Sequence, residues 1–375
     1  MAGIYIHIPF CRQKCYYCDF YKTVNNSLTS QFIKALKKEI LFRKNFTEGE
    51  KIETIYFGGG TPSVLKKEEL EEILHFLKSE FSVFPEAEIT FEANPDDLTP
   101  GYLNAIFKTG INRLSIGIQS FQDENLKKMN RRHTAKQAID SVLNAEKAGF
   151  QNISVDLIYG LPNLTIKEWK QSLNEVFQLP VNHLSAYHLT YHEGTPFYTW
   201  LKKGTLKELS EHQSVEQFNV LMDKCAEAGF EQYEISNFAR NQHYSKHNTA
   251  YWMGETYLGL GPSAHSFNGL VRTWNVAHVE SYIKAIEKGS SFFQQEKLSG
   301  NDQYNEYILT HIRTKWGVSA KYIREHFGEE KATLFRTDVE KYLQNNMLEE
   351  QNGSFILTRE GLFVSDDIMA NLMII

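Results

Sequence analysis

Ile4-Tyr5-Ile6-His7-Ile8-Pro9-Phe10-Cys11-Arg12-Gln13-Lys14-Cys15-Tyr16-Tyr17-Cys18-Asp19-Phe20 joins a short apolar run to a loop that holds three of the chain's four cysteines. Ile4 to Ile8 reads as a buried strand, so the cysteines leave its C-terminal end. The spacing C-x3-C-x2-C lets three thiolates converge on one object from a single loop. That suits three corners of a cubane iron-sulfur cluster and leaves the fourth iron without a protein ligand. Structural zinc needs four ligands, usually as two pairs, and the remaining cysteine, Cys225, stands alone. A disulfide needs an oxidising compartment, and nothing N-terminal reads as a signal peptide.

Working outward, the same grammar of strand, loop and helix repeats. Phe32, Ile33, Leu36, Ile40 and Leu41 predict a helix over 30–43 with one apolar face. Strand 52–57 runs into Gly58-Gly59-Gly60-Thr61-Pro62 and a helix over 67–80. Successive glycines let a backbone approach a ligand and turn N–H groups outward, which favours a carboxylate or other polar group. Three more units follow: strand 88–92 ending at Glu92, with helix 99–109; strand 113–118 ending Gly117-Ile118-Gln119, with Arg131 beyond it and helix 134–148; strand 153–158 carrying Asp156, with helix 166–177. Residues 183–187 form a sixth strand. Alternating strands and helices with short connections predict a parallel α/β sheet. Cys11, Gly59, Glu92, Gln119 and Asp156 all fall near the C-terminal ends of successive strands, so a partial barrel gathers them at one mouth, where a flat sheet would string them out.

The totals set bounds. The chain has 375 residues, enough for more than one domain, and 40 basic against 46 acidic residues, a net charge of -6. Neither nucleic acid nor an anionic membrane is invited by such a balance. No apolar run reaches the roughly 18 residues of a membrane span. The expectation is a cytoplasmic protein with reduced thiols.

The cysteine spacing, with aromatic Tyr17 before the third cysteine and the motifs that follow, resembles the radical S-adenosylmethionine (SAM) superfamily. The resemblance covers about residues 1–200 and implies a partial (β/α)6 TIM-like barrel. It further implies that Cys11, Cys15 and Cys18 ligate a [4Fe-4S] cluster whose open iron SAM chelates. Gly58, Gly59, Gly60 and Thr61 would hold the amino end of SAM, and Glu92 and Asp156 its ribose or amino groups. Arg131 and Gln119 would meet its polar atoms, with Tyr5 and Tyr17 lining the same pocket.

Past the sixth strand, helix 210–228 contains Cys225, most simply a core residue. A polar loop follows with His243, then His247-Asn248-Thr249-Ala250-Tyr251-Trp252 and Gly259-Leu260-Gly261-Pro262-Ser263-Ala264-His265. Imidazole can ligate haem iron and the aromatics can pack a macrocycle. H-N-x-x-Y-W with G-x-G-x-x-A resembles the oxygen-independent coproporphyrinogen III dehydrogenases and their relatives, the HemW-type haem chaperones. The dehydrogenases carry a further cysteine where this chain has Phe20, and a longer segment ahead of the cluster. Both differences point to the chaperone branch, with His247 as haem ligand and His243 and His265 as reserves.

The expected organisation is a barrel over 1–205, a connecting region over 206–290 and a C-terminal α+β winged-helix-like domain over 291–375. Residues 301–375 hold eight Lys/Arg against twelve Asp/Glu, which argues against a DNA-binding face. The leading functional reading is a haem chaperone that binds a [4Fe-4S] cluster, SAM and haem and delivers haem to an acceptor protein, for example a membrane-bound respiratory one; assembly as a homodimer is left open. The alternative is the dehydrogenase of porphyrin biosynthesis, in which a SAM-derived radical starts oxidative decarboxylation. A third is a cluster-bearing scaffold that binds neither haem nor porphyrin.

Overall fold

The computed structural model describes residues 2–374. Six parallel strands pair in chain order: β1 (Ala2–Ile8), β2 (Ile52–Gly59), β3 (Val83–Ala93), β4 (Arg113–Gln119), β5 (Asn152–Tyr159) and β6 (His183–His188). Between them run α1 (Thr29–Arg43), α2 (Lys67–Glu80), α3 (Pro100–Phe107), α4 (Asp123–Lys128), α5 (Ala135–Lys147) and α6 (Ile166–Gln178). The order without reversal is that of the expected partial barrel.

The strands alternate because their two faces meet different surroundings. Ile4, Ile6, Phe57, Phe91, Leu114, Ile116, Val155 and Leu184 are fully buried on one face. Helix residues such as Leu36, Ile40, Leu74, Leu77 and Val142 belong to the same apolar core. Each such side chain contributes roughly 1.5–3 kcal/mol by leaving water. The opposite face carries Tyr56, Glu92, Ser115, Asp156 and Ser185, and it lines a cavity. Several helices start sharply: Thr134 with Gln137, Thr165 with Glu168 and Ser210 with Gln213 each form a reciprocal capping box.

After β6 come α7 (Pro196–Lys202), α8 (Glu211–Glu227), β7 (Glu231–Glu234) and β8 (Asn237–Ala239); β8 pairs antiparallel with β6. The predicted histidine loop is then overturned in part. Residues Lys246–Trp252 form helix α9, because the Ser245 side chain caps it and the Glu88 carboxylate accepts the N–H groups of Lys246 and His247, both at 3.1 Å. Next are β9 (Thr256–Leu260), β10 (His265–Phe267), β11 (Val271–Asn275), α10 (Val279–Lys288) and β12 (Phe293–Lys297). β9 pairs parallel with β1, and β10 to β12 extend that edge antiparallel, so one sheet of twelve strands results.

This extension is tied to α1 by a buried polar cluster. Glu39 accepts from Gly261 N (2.8 Å), Asn275 Nδ2 (2.7 Å) and Tyr282 OH (2.6 Å), while Arg43 reaches Thr273 and Asn275.

The C-terminal unit has its own core around Tyr304, Ile308, Phe335, Val339 and Phe355. Its elements are α11 (Gly300–His311), β13 (Val318–Ser319), α12 (Ala320–Phe327), α13 (Glu329–Gln344), β14 (Leu348–Gln351), β15 (Ser354–Leu357), α14 (Arg359–Leu362) and α15 (Ser365–Leu372). The three strands form a separate antiparallel sheet, with β14 and β15 as a wing turned by Asn352 and Gly353, both at positive φ. α13 begins directly after Gly328, with Glu329 and Glu330 in its first turn.

Candidate cluster and SAM site at the barrel mouth

The cysteine loop leaves β1 and is pinned on both sides. Cys11 N donates to Thr23 O at 2.8 Å and Tyr16 N to Met129 O at 3.1 Å. Gln13 and Asn130 exchange side-chain bonds with the opposite backbones. All three thiols line one cavity of about 440 Å³ at the mouth. Cys11 Sγ lies 3.2 Å from Thr61 Oγ1, and Arg131 Nη1 donates to Cys15 Sγ at 3.4 Å. Burial pushes the Cys11 thiol up to about 11, against the opposing hydrogen bond from Thr61.

Among the described residues no three His, Cys, Asp or Glu side chains are drawn into a metal-ligating cluster. The thiols ring the cavity wall instead, and the donor set suits an iron-sulfur cluster. It is all sulfur, on one loop, with N–H and O–H groups placed at two of the sulfurs as cluster thiolates require.

The glycine run is built by sterics. At Gly59 φ is +102°, and an added Cβ would lie 2.5 Å from the His7 ring. A Cβ on Gly60 would meet the Ile8 and Phe10 carbonyls at 2.7 and 2.8 Å. The expectation that the N–H groups here face a ligand is corrected. Gly59 N donates to Glu92 Oε2 (3.2 Å), Gly60 N to Ile8 O and Thr61 N to Phe10 O (both 2.8 Å), so all three are engaged.

Two half-buried carboxylates face the cavity. Glu92 accepts from Tyr56 OH at 2.7 Å, yet burial, aided by Asp156, raises it to about 7. Asp156 accepts from Ser115 Oγ at 3.2 Å, and burial raises it to about 6 against the Ser185 and Ser115 hydroxyls. Arg131 Nη2 donates to Asn94 Oδ1 (2.7 Å) and Gly117 O (2.5 Å), which aims the guanidinium between the cysteine loop and β4. Gln119 sits where the β4–β5 register breaks, at φ +68°, and lines the same wall. One cavity therefore offers thiols, a guanidinium and two acids. A sulfonium ligand with an amino acid end needs that combination.

Of the expected site residues, Cys11, Cys15, Tyr17, Cys18, Gly59, Gly60, Thr61, Glu92, Gln119, Arg131 and Asp156 line the cavity, as does Thr190. Tyr5 and Gly58 lie behind it: Tyr5 stacks on Tyr56, and a Cβ at Gly58 would meet Tyr56 at 2.8 Å. Sequence reasoning missed Tyr56, Arg113, Ser115, Ser185, Asn94 and Asn248. Tyr56, Arg113, Ser115 and Ser185 alternate along their strands with core residues, a signal available in the pattern itself.

His247 is placed differently from the expectation. Its side chain enters the barrel interior from the N-terminal side, 5% exposed. Nδ1 lies 2.8 Å from Thr54 Oγ1, the ring stacks on Tyr56 at 5.1 Å, and Nε2 is buried without a partner. Burial lowers the imidazole to about 3, so it is neutral. Here it is packed beneath the cavity, and its neighbour Asn248 reaches the wall. The expected haem-ligand role requires this ring to become accessible. His243 and His265 are exposed.

A parallel partial barrel with three cysteines at the exit of its first strand, and a glycine run at the second, defines a radical SAM protein. The profile of the radical SAM superfamily matches residues 5–176, and that of the HemN C-terminal domain matches 298–364. Heme chaperone HemW of Bacillus subtilis is 35% identical over 98% of this chain and 98% of its own, and that of Lactococcus lactis is 33% identical over 99% and 97%. The solved structure of the Escherichia coli coproporphyrinogen III oxidase HemN, a radical SAM enzyme, superposes with a TM-score of 0.86 at 24% identity, covering 99% of this chain and 90% of that one. The chain belongs to the HemW family of radical SAM haem chaperones.

Proposed function

We propose that this chain binds a [4Fe-4S] cluster, SAM and haem, and passes the haem to an acceptor haem protein. The supporting observation is the mouth cavity, which joins Cys11, Cys15 and Cys18 to Glu92, Asp156 and Arg131. The three cysteines would hold the cluster, which supplies one open iron to SAM. Arg131, already hydrogen-bonded to the Cys15 sulfur, stabilises thiolate charge. Glu92 and Asp156 would orient cationic or hydroxyl groups of SAM. Family membership supports haem as cargo.

The porphyrin-oxidising alternative rests on fold likeness. Phe20, 66% exposed at the cavity rim, occupies the position at which that reading expects a cysteine.

The test is anaerobic reconstitution followed by haem titration and transfer. A Soret band near one haem per chain, and its passage to an added apo-acceptor, is the expected result. Protoporphyrinogen formed from coproporphyrinogen with SAM and dithionite would sink the chaperone reading in favour of the dehydrogenase.

A further inference from the structure

A buried carboxylate outside the cavity ties together three segments that flank the cysteine sulfurs. Asp97 closes the turn Pro95–Asp97 after β3 and is 7% exposed. A carboxylate taken out of water needs donors and cations around it. Asp97 has both. Ser63 Oγ donates to its Oδ2 at 2.8 Å, Arg132 Nη2 donates to its Oδ1 at 3.1 Å, and Arg12 Nε lies 3.4 Å from the same Oδ1. Each of these partners is a close neighbour of a sulfur contact along the chain. Arg12 follows Cys11, Arg132 follows Arg131, and Ser63 stands two residues beyond Thr61.

A chain of hydrogen bonds leads from this carboxylate to a sulfur. Ser63 Oγ, while donating to Asp97, accepts from Asn94 N at 3.1 Å. Asn94 Oδ1 accepts from Arg131 Nη2 at 2.7 Å, and Arg131 Nη1 donates to Cys15 Sγ at 3.4 Å. Arg132 also pairs with Asp96 through the same nitrogen, which holds its guanidinium on the turn. Asp97 therefore acts on the sulfurs through its neighbours. Hydrogen bonds to cluster sulfurs, and the charge close to them, set how readily a cluster takes an electron. The Asp97 carboxylate bears on both, since it anchors the donor chain and balances two guanidiniums behind the loop.

We propose that Asp97 is the positioning residue of the cluster loop. Through Arg12 it fixes the segment between Cys11 and Cys15, and through Ser63 and Asn94 it aims Arg131 at the Cys15 sulfur. This rests on the reading of Cys11, Cys15 and Cys18 as cluster ligands and adds the group that sets their geometry and potential.

The experiment uses the full chain, reconstituted anaerobically with iron and sulfide. It reads the reduction potential of the cluster, the electron paramagnetic resonance of its reduced form, and the rate at which an iron chelator bleaches its visible absorbance. Asp97→Asn keeps the side-chain shape and removes the charge that balances Arg12 and Arg132, so the potential should move upward and the resonance should change. Asp97→Ala removes the clamp as well and should bleach about tenfold faster. Asp140→Asn, which breaks a surface pair with Lys136, should match wild type in all three readouts. A potential that stays put or falls in Asp97→Asn would overturn the proposal even where the apo-protein melts at a lower temperature, since a merely structural residue does only that; the cluster reading would stand. If Asp97→Ala does not fold, the potential of Asp97→Asn decides by the same rule. A wild-type chain that takes up no cluster would overturn both.

Discussion

Glu92 and Asp156 at the mouth differ from surface carboxylates because desolvation raises both, and at Glu92 the Asp156 charge adds to it. Glu92, raised to about 7, is largely protonated at pH 6 and largely ionised at pH 8. A cationic ligand prefers the ionised form, so SAM should bind up to about tenfold more tightly at pH 8 than at pH 6. Calorimetric titration checks this, and Glu92→Gln should flatten the profile. Cys15→Ala should abolish the visible absorbance of the reconstituted cluster, since two thiolates cannot hold three irons; a retained spectrum would remove the ligand assignment. Gly59→Ala is expected to lose about 1–3 kcal/mol or more of stability on chemical denaturation, because φ +102° is strained for alanine and the His7 ring blocks the new methyl.

At the element scale α9 is the informative piece. It carries no apolar stripe of the kind that predicts a helix, and it exists because Glu88 on β3 receives its first N–H groups from inside the barrel. Arg113 lies 4.0 Å from the same carboxylate. Removing that carboxylate leaves a buried guanidinium and two N–H groups without their partner. Glu88→Ala should therefore cost about 3–5 kcal/mol, with the loss read by urea denaturation. If α9 came loose in that variant, the wall formed by Asn248 would go with it, and SAM affinity would fall although no cavity-lining residue had been changed.

For the whole molecule, buried imidazoles govern stability against acid. His7, His133, His247 and His311 are held by burial at about 4, 3, 3 and 4, with His183 well below its ordinary value. Unfolded imidazoles take up protons near pH 6.5. The unfolded state therefore binds more protons below that pH, and stability falls as pH drops from about 6.5 to 5.5. Glu92 and Asp156 oppose this, since their folded carboxyls keep protons up to about 7 and 6. His188 and His265 are lowered as well, and Glu39, Asp96 and Glu234 raised, so seven lowered imidazoles face five raised carboxyls and the net loss of stability lies toward acid. Thermal melts of the apo-protein at pH 5.5, 6.0 and 6.5 should show a falling midpoint toward acid; a flat or rising one would contradict the assignment.

What could be read in advance was whatever is local. β1 with its cysteines, the glycine run, and the strands ending in Glu92, Gln119 and Asp156 announce themselves through spacing and through alternation of apolar and polar residues, which depend on neighbours two to four positions away. Their convergence on one mouth followed from strand direction alone, because parallel strands in chain order carry all their C-terminal ends to one side. Tyr56, Arg113, Ser115 and Ser185 were legible in principle, being the polar partners in that alternation. The segment after β6 was not. Whether His247 points at a ligand or packs under one depends on Thr54 and Glu88, 193 and 159 residues away along the chain. Such contacts carry no periodic signature, so the sequence identified the chemistry of the mouth, and only the tertiary structure decided where His247 packs.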